Sequence, residues 1–141
     1  MDQKAVEDFI AGLENVEREQ NFGYEFFFVG DDHMLPFVTI AKTDNEYDKV
    51  SNLDRDGVFR INIGVSRETF DALVGHIDQD GLAYSVLDTF LPHPDYAKQN
   101  FICILNPAGD NAEKTKDLIR EAHANAARRL ARRATKRPTS G

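Results

Sequence analysis

The stretch from Val58 to Val65 constrains the fold more than any other part of the chain, because apolar and polar residues alternate through it. Successive side chains of a β-strand point to opposite faces. One face of this strand would carry Phe59, Ile61, Ile63 and Val65, and the other would carry Arg60, Asn62 and Gly64. The pattern therefore predicts a strand with its apolar face on a hydrophobic core.

The segments before this strand predict one helix and one hairpin. Residues 3 to about 20 place apolar side chains at helical spacing with acidic residues opposite, which is typical of an amphipathic helix. Two aromatic and β-branched runs follow, Tyr24–Val29 and Phe37–Ala41, and a short polar loop separates them. Such a pair predicts a β-hairpin. The polar and acidic stretch from Thr43 to Asp56 is predicted to be a loop.

The segments after this strand predict three helices and one more strand. Ser66 is a favourable N-cap for a short middle helix that ends near Gly75. The run Tyr84–Leu91 is predicted to be a short helix, since two prolines stop it. Phe101–Leu105 is predicted to be a buried strand, and Ala112 to about Arg133 a long C-terminal helix.

This order of elements favours an α+β fold. The strands are grouped and the helices lie mostly at the ends, so an antiparallel sheet of about four to five strands is expected, with an N-terminal helix, a middle helix and a long C-terminal helix. A parallel sheet would need more crossover helices. With 141 residues and 41% hydrophobic residues, the chain is long enough for one core. We expect a single domain over residues 1–134 and a frayed basic tail over residues 135–141.

The apolar runs and the single cysteine indicate a cytoplasmic protein. No run approaches the roughly 20 apolar residues that cross a bilayer, and the first residues do not resemble a secretion signal. Cys103 has no partner for an internal disulfide and lies in an apolar run, where a thiol usually behaves as a small hydrophobic side chain. We therefore expect a location in the cytoplasm.

The charge is divided unevenly along the chain. Six basic residues and no acidic residue follow position 127, so residues 1–127 hold 11 basic and 24 acidic residues and carry a net charge of −13. The basic residues are Arg128, Arg129, Arg132, Arg133, Lys136 and Arg137. On a helix they cover about half of the circumference, which suits nucleic acid phosphates or an anionic membrane surface. The alternative is that these cations only complement the helix dipole.

Motifs of common catalytic and metal sites are missing from the sequence. The four histidines are scattered and show no metal-ligand spacing, and the two Asp-x-Asp-Gly turns lack the remaining ligands of a calcium loop. Neither a Walker loop nor a Gly-x-Gly-x-x-Gly motif occurs, and no serine has the context of a nucleophile elbow. We therefore expect no metal and no cofactor, and a small hydrolase or isomerase is an alternative without a supporting motif.

The polar face of the strand around position 60 is the candidate binding surface. Arg60 can hold a carboxylate or phosphate through two parallel hydrogen bonds, and Asn62 offers both a donor and an acceptor. Gly64 would leave the backbone beside them open, and His93 and Tyr96 in the proline-bracketed turn would either frame the site or form a structural lid. The alternative is that Arg60 pairs with a nearby carboxylate or that the face is solvated. We expect a non-enzymatic module that binds an anionic ligand or a protein partner here.

Three segments resemble a bacterial family of uncharacterised single-domain proteins, a domain of unknown function. They are residues 53–65, residues 91–97 and residues 105–107, and the resemblance covers nearly the whole chain, to about Arg129. More distantly, the order of elements resembles the MmcQ/YjbR-like proteins, whose fold is related to CyaY and to secretion chaperones and for which DNA binding has been proposed. The resemblance implies an α+β fold and brings no catalytic residue to this chain.

Overall fold

The computed structural model describes residues 1–136, with the side chains of residues 1–134, and shows three helices and a six-stranded antiparallel sheet in that range. The helices are α1 (Gln3–Ala11), α2 (Arg67–Val74) and α3 (Gly109–Lys136). The strands are β1 (Val16–Asn21), β2 (Tyr24–Val29), β3 (Val38–Ala41), β4 (Arg60–Gly64), β5 (Leu91–Pro92) and β6 (Phe101–Leu105), in the sheet order β1-β2-β3-β4-β6-β5. The predicted α+β class is thus confirmed, with six strands instead of four to five.

The first face of the sheet carries the main hydrophobic core. The apolar side chains of β4 predicted to point inward lie here, and they pack with Val6 and Ile10 of α1 and with Leu118, Ile119 and Ala122 of α3. Ile61 and Ile63 are completely buried, as are their strand partners Ile40, Val38, Ile104 and Ile102. The alternation in β4 therefore predicted this face correctly.

The predicted N-terminal helix is present but shorter than expected, and the helix predicted over Tyr84–Leu91 is absent. Helix α1 ends at Ala11, with Gly12 as its C-cap, and residues 16–21 form the edge strand β1. Residues 84–90 form an irregular segment, and only Leu91–Pro92 pair with β6. Backbone and side-chain bonds to neighbouring elements replace helical bonds there, since the Asp88 N–H donates to the carbonyl of Leu105 and the Tyr84 hydroxyl to that of Pro92.

The remaining predicted elements are present. Strands β2 and β3 pair antiparallel, as the hairpin prediction requires, and the Ser66 hydroxyl caps α2 by accepting from the Thr69 N–H. Helix α3 extends three residues beyond the predicted range at each end. Of the predicted tail, residues 135 and 136 continue α3, and residues 137–141 lie outside the described residues. Within residues 1–136, no helix has both the length and the apolar character that a membrane-spanning helix requires.

The second face of the sheet lies under two long connections. The segment between β3 and β4 crosses it, and so does the segment between α2 and β6. Arg55 joins the two, because its guanidinium donates to the carbonyls of Ser51 and Asn52 in the first segment and of Ser85 in the second. Both faces of the central strands are therefore covered, which explains why Arg60 and Asn62 are buried.

Candidate functional site

A cavity of about 490 Å³ opens on the second face of the sheet. Its floor includes Phe26, Thr39 and Asn62, which are lateral neighbours on β2, β3 and β4. The two covering segments supply much of its wall. Most of the wall is apolar, and the aromatic side chains in it are Tyr24, Phe26, Tyr47, Tyr96 and Phe101. A cavity of this volume and lining is typical of a small-molecule site.

Arg60 lies under this cavity and is completely buried. Its Nη1 donates to Asp48 Oδ1 at 3.1 Å and to Ser51 Oγ at 3.0 Å, and its Nη2 donates to Asp48 Oδ2 at 2.5 Å. Its Nε donates to Asn62 Oδ1 at 2.9 Å. The guanidinium is thus committed to the protein's own acceptors and forms a two-point ion pair with Asp48.

The electrostatics of this pair favour both charges. Burial alone would raise the pKa of Asp48, but hydrogen bonds from Arg60 and Tyr24 outweigh burial and hold that pKa below its usual range. The Tyr24 hydroxyl donates to Asp48 Oδ2 at 2.6 Å. A buried ion pair with such additional hydrogen bonds meets the condition under which two charges are tolerated inside a protein.

His93 is held in one neutral tautomer beside this pair. Its Nδ1 accepts hydrogen bonds from the backbone N–H groups of Asp95 and Tyr96, each at 3.0 Å, so the ring proton must lie on Nε2. Burial, and then the nearby charge of Arg60, lower the pKa of the His93 imidazole to about 3. His93 is therefore a fixed hydrogen-bond donor toward the cavity and a poor general base at neutral pH.

The rim of the cavity contains Tyr96 and the ring of Phe101. The residue Tyr96 is 56% exposed, and its ring contacts the His93 ring, with 5.0 Å between ring centroids. The Phe101 ring covers Gly64, because a Cβ atom at that glycine would lie 3.0 Å from the ring. The backbone at Gly64 was expected to be open to a ligand, and that expectation is wrong.

The four residues selected from the sequence meet in one place. Arg60, Asn62, His93 and Tyr96 all line the cavity. The expectation that Arg60 holds an external anion does not fit its contacts, since the alternative, pairing with a nearby carboxylate, is what the structure shows. Sequence reasoning missed Asp48, which lies in an irregular polar segment and has no periodicity to mark it.

The basic residues near the C-terminus do not form one free surface. Arg133 pairs with Asp32, and Arg128 donates to the side chain of Asn125. Arg129 is partly buried, and burial lowers its pKa, as do the neighbouring charges of Arg133 and Arg132. Arg137 and the side chain of Lys136 lie outside the described part of the chain. Nucleic-acid binding stays a prediction, and a gel-shift affinity that does not fall with salt would contradict it.

Within residues 1–136, no group of three or more His, Cys, Asp or Glu side chains is placed to hold a metal ion. Cys103 is completely buried, and burial raises the pKa of its thiol to about 12. Neither Cys103 nor His93 thus has the ionisation properties of a nucleophile or a base at neutral pH.

The fold and the cavity define the class of the protein as a small α+β domain with a ligand-sized cavity between one sheet face and two long connections. The chain belongs to the family DUF6194, a family of unknown function, whose model matches residues 1–135. Comparison with curated proteins and with solved structures gave no significant match.

Proposed function

We propose that this chain is a non-enzymatic binding module whose ligand occupies the cavity on the second face of the sheet. The observation that carries the proposal is the state of His93, which lines the cavity with a fixed proton on Nε2. Nε2 has no hydrogen-bond partner among residues 1–136. Nε2 is not among the fully buried polar atoms that lack a partner, so it is open to the cavity, where a ligand or a bound water is expected to satisfy it.

The apolar wall supports a small molecule as the occupant. Pockets for small ligands are lined mainly by apolar and aromatic side chains and contain a few fixed polar groups. Leu35 and Pro36 on one side and Tyr96 on the other provide such a wall, and Leu35 and Tyr96 are exposed at the opening. The ion pair of Arg60 and Asp48 holds the floor in one arrangement, so the cavity is largely formed before a ligand binds.

An enzymatic role is less well supported by the same contacts. A small hydrolase or isomerase would need a general base or a nucleophile in the cavity. His93 remains neutral and donates from Nε2, and the carboxylate of Asp48 accepts from Arg60 and Tyr24. These groups orient a ligand better than they move a proton.

A fragment library screened by ¹H–¹⁵N NMR tests the proposal. We expect a subset of fragments to shift the backbone resonances of Thr39, Asn62 and Tyr96. The variant Tyr96→Ala should weaken those fragments, whereas Phe22→Ala, which removes an exposed aromatic side chain that does not line the cavity, should not. A library in which no fragment shifts the cavity resonances would contradict the proposal.

We also propose a distant family relationship, a bacterial origin and a cytoplasmic location for this protein. The order of helices and strands supports a distant relationship with the MmcQ/YjbR-like proteins. A bacterial origin is supported by the resemblance of residues 53–65, 91–97 and 105–107 to a bacterial family of uncharacterised proteins. The cytoplasmic location is supported by the single, deeply buried cysteine, since disulfide-stabilised small domains are typical of oxidising compartments.

A further inference from the structure

The polar groups of the cavity floor have one property in common: their acceptor atoms already accept hydrogen bonds from the protein, while several donor hydrogens remain unused. His93 is the first case, since its Nδ1 accepts from two backbone N–H groups and its Nε2–H has no partner among the described residues. This property restricts the chemistry of a ligand, because a ligand must present acceptors to such a floor.

Thr39 and Asn62 continue the same pattern on the neighbouring strands. The Asn62 Nδ2 donates to Thr39 Oγ1 at 2.9 Å, which leaves the hydroxyl hydrogen of Thr39 and the second Nδ2 hydrogen of Asn62 without a partner within residues 1–136. The Asn62 Oδ1 already accepts from Arg60 Nε. The floor between His93 and Thr39 is therefore rich in donors.

The charges around the cavity argue against an anionic ligand. The only charged side chains that line it are those of Arg60, Asp48 and Asp95, among the residues that the structure describes. Asp48 offsets Arg60 at contact distance, and Asp95 adds a further negative charge at the rim. An anion that entered would lose its hydration without meeting an uncompensated positive charge, which is unfavourable.

The shape of the wall adds a third restriction. Five aromatic rings, those of Tyr24, Phe26, Tyr47, Tyr96 and Phe101, line the cavity around the donor-rich floor. Aromatic side chains favour flat apolar groups, which they contact by stacking or by edge-to-face packing.

We propose that the ligand is an uncharged molecule with a flat apolar body and a carbonyl oxygen, as in a ketone, ester, lactone or amide, and that the oxygen accepts from the Nε2–H of His93 or from the hydroxyl of Thr39. This assignment rests on the proposed function, because it names the class of ligand for the same cavity. This uncharged ligand replaces the anionic ligand that was expected from the sequence.

Three probes of matched shape test the ligand class. 2-Acetylnaphthalene carries the carbonyl, 2-isopropenylnaphthalene replaces its oxygen with a methylene group, and 2-naphthoate replaces the ketone with a carboxylate. We expect the ketone to bind about tenfold more tightly than the hydrocarbon, which corresponds to one net hydrogen bond in a site shielded from water. We also expect the ketone to bind more tightly than the carboxylate at pH 7, as measured by NMR titration.

Two substitutions at His93 separate the roles of its nitrogens. In His93→Asn the Oδ1 atom can still accept from the backbone of Asp95 and Tyr96, but the Nε2–H donor is lost. We expect this variant to lose the preference for ketone over hydrocarbon. His93→Gln should retain part of the preference, because its amide nitrogen can donate near the position of Nε2. His76→Asn, the same change at an exposed histidine that does not line the cavity, should keep the full preference.

The outcomes distinguish the ligand class from the binding function. Equal affinities for the ketone and the hydrocarbon, or a tighter carboxylate, would overturn the neutral carbonyl class and leave the cavity as a binding site. An unchanged preference in His93→Asn and in Thr39→Val would overturn the assignment of the donors. If fragments bind the cavity but none of the three probes does, the ligand class is wrong. If neither fragments nor probes bind, the proposed function fails as well.

Discussion

Arg60 and Asp48 form a two-point ion pair that ties strand β4 to the segment between β3 and β4, with 2.5 Å between Nη2 and Oδ2. The two residues are twelve positions apart in the sequence, and both are buried. The pair forms part of the cavity floor, so its integrity and the shape of the cavity are linked.

Breaking this pair on one side should destabilise the protein strongly. Asp48→Leu or Arg60→Met leaves a buried charge without its partner, which costs about 3–5 kcal/mol of the free energy of unfolding. The double variant should lose much less of the free energy of unfolding than the two single variants lose together. Urea denaturation of the four proteins measures this cycle. The same double-mutant cycle at Arg67 and Asp71, an exposed pair at 3.8 Å, is the control. Its interaction free energy should be less than about 0.5 kcal/mol. Additive effects at Asp48 and Arg60 would contradict the assignment.

The stability should fall in acid partly because of His93. Its pKa is about 3 in the folded protein and near the ordinary 6.5 in the unfolded chain, so between these values only the unfolded chain binds the proton. The free energy of unfolding should therefore decrease as the pH falls from 6.5 toward 3, by up to about 1.4 kcal/mol per pH unit. Urea denaturation at several pH values checks this slope. His93→Asn should show a smaller slope than the parent protein.

The pKa of His33 should be shifted upward, in the direction opposite to that of His93. Its Nδ1 lies 2.6 Å from Glu19 Oε1 and its Nε2 lies 3.0 Å from Glu17 Oε1, and these contacts, chiefly the one with Glu19, raise its pKa above 6.5. The stabilisation that protonated His33 contributes is then complete below pH 6.5 and is lost as the pH rises through the pKa of His33 in the folded protein. NMR titration of the imidazole measures the value. Glu19→Gln should lower it more than Glu17→Gln, and equal values in all three proteins would contradict the assignment.

The sequence predicted the centre of the fold better than its edges. The alternation in β4 fixed the direction of Ile61 and Ile63 because the apolar face of a central strand must be buried. The edge strand β1 has no such constraint. Its residues are mostly polar and exposed, and Val16 continued the helical spacing of α1, so periodicity alone placed it in a helix.

The candidate site, too, could be predicted from the sequence only in part. Arg60, Asn62, His93 and Tyr96 were found because strand alternation and a proline-bracketed turn marked them. Nothing in the sequence around Asp48 indicates which of 24 acidic residues meets Arg60, since that contact depends on the path of an irregular segment. The sequence therefore indicated four residues that line the cavity but indicated neither the cavity itself nor its charge.

Gly64 should be required for the packing of Phe101 at the cavity wall. A Cβ atom added at Gly64 would lie 3.0 Å from the Phe101 ring, which is closer than an ordinary van der Waals contact. Gly64→Ala should therefore lower the free energy of unfolding by about 1–3 kcal/mol. Thermal or urea denaturation checks this, and Phe101→Leu combined with Gly64→Ala should recover part of the loss. A neutral Gly64→Ala would show that the ring moves aside without cost.

Phe22 should be a point of backbone strain whose removal stabilises the protein. Phe22 and Gly23 form the two-residue turn between β1 and β2, with φ angles of 52° and 80°. Such turns favour Asn-Gly, because positive φ is unfavourable for a bulky side chain. The other non-glycine residues with positive φ in the described chain are all asparagine or aspartate.

Phe22→Asn should therefore raise the free energy of unfolding by about 1 kcal/mol. Little packing is lost in exchange, since the Phe22 residue is 81% exposed. Phe22→Ala is the matched control: it removes the same ring but lacks the local hydrogen bonding with which asparagine tolerates this conformation, so it should stabilise less. Urea denaturation of the three proteins measures the difference. A destabilising Phe22→Asn would mean that the exposed ring contributes to the folded state through a contact that outweighs the strain of the turn.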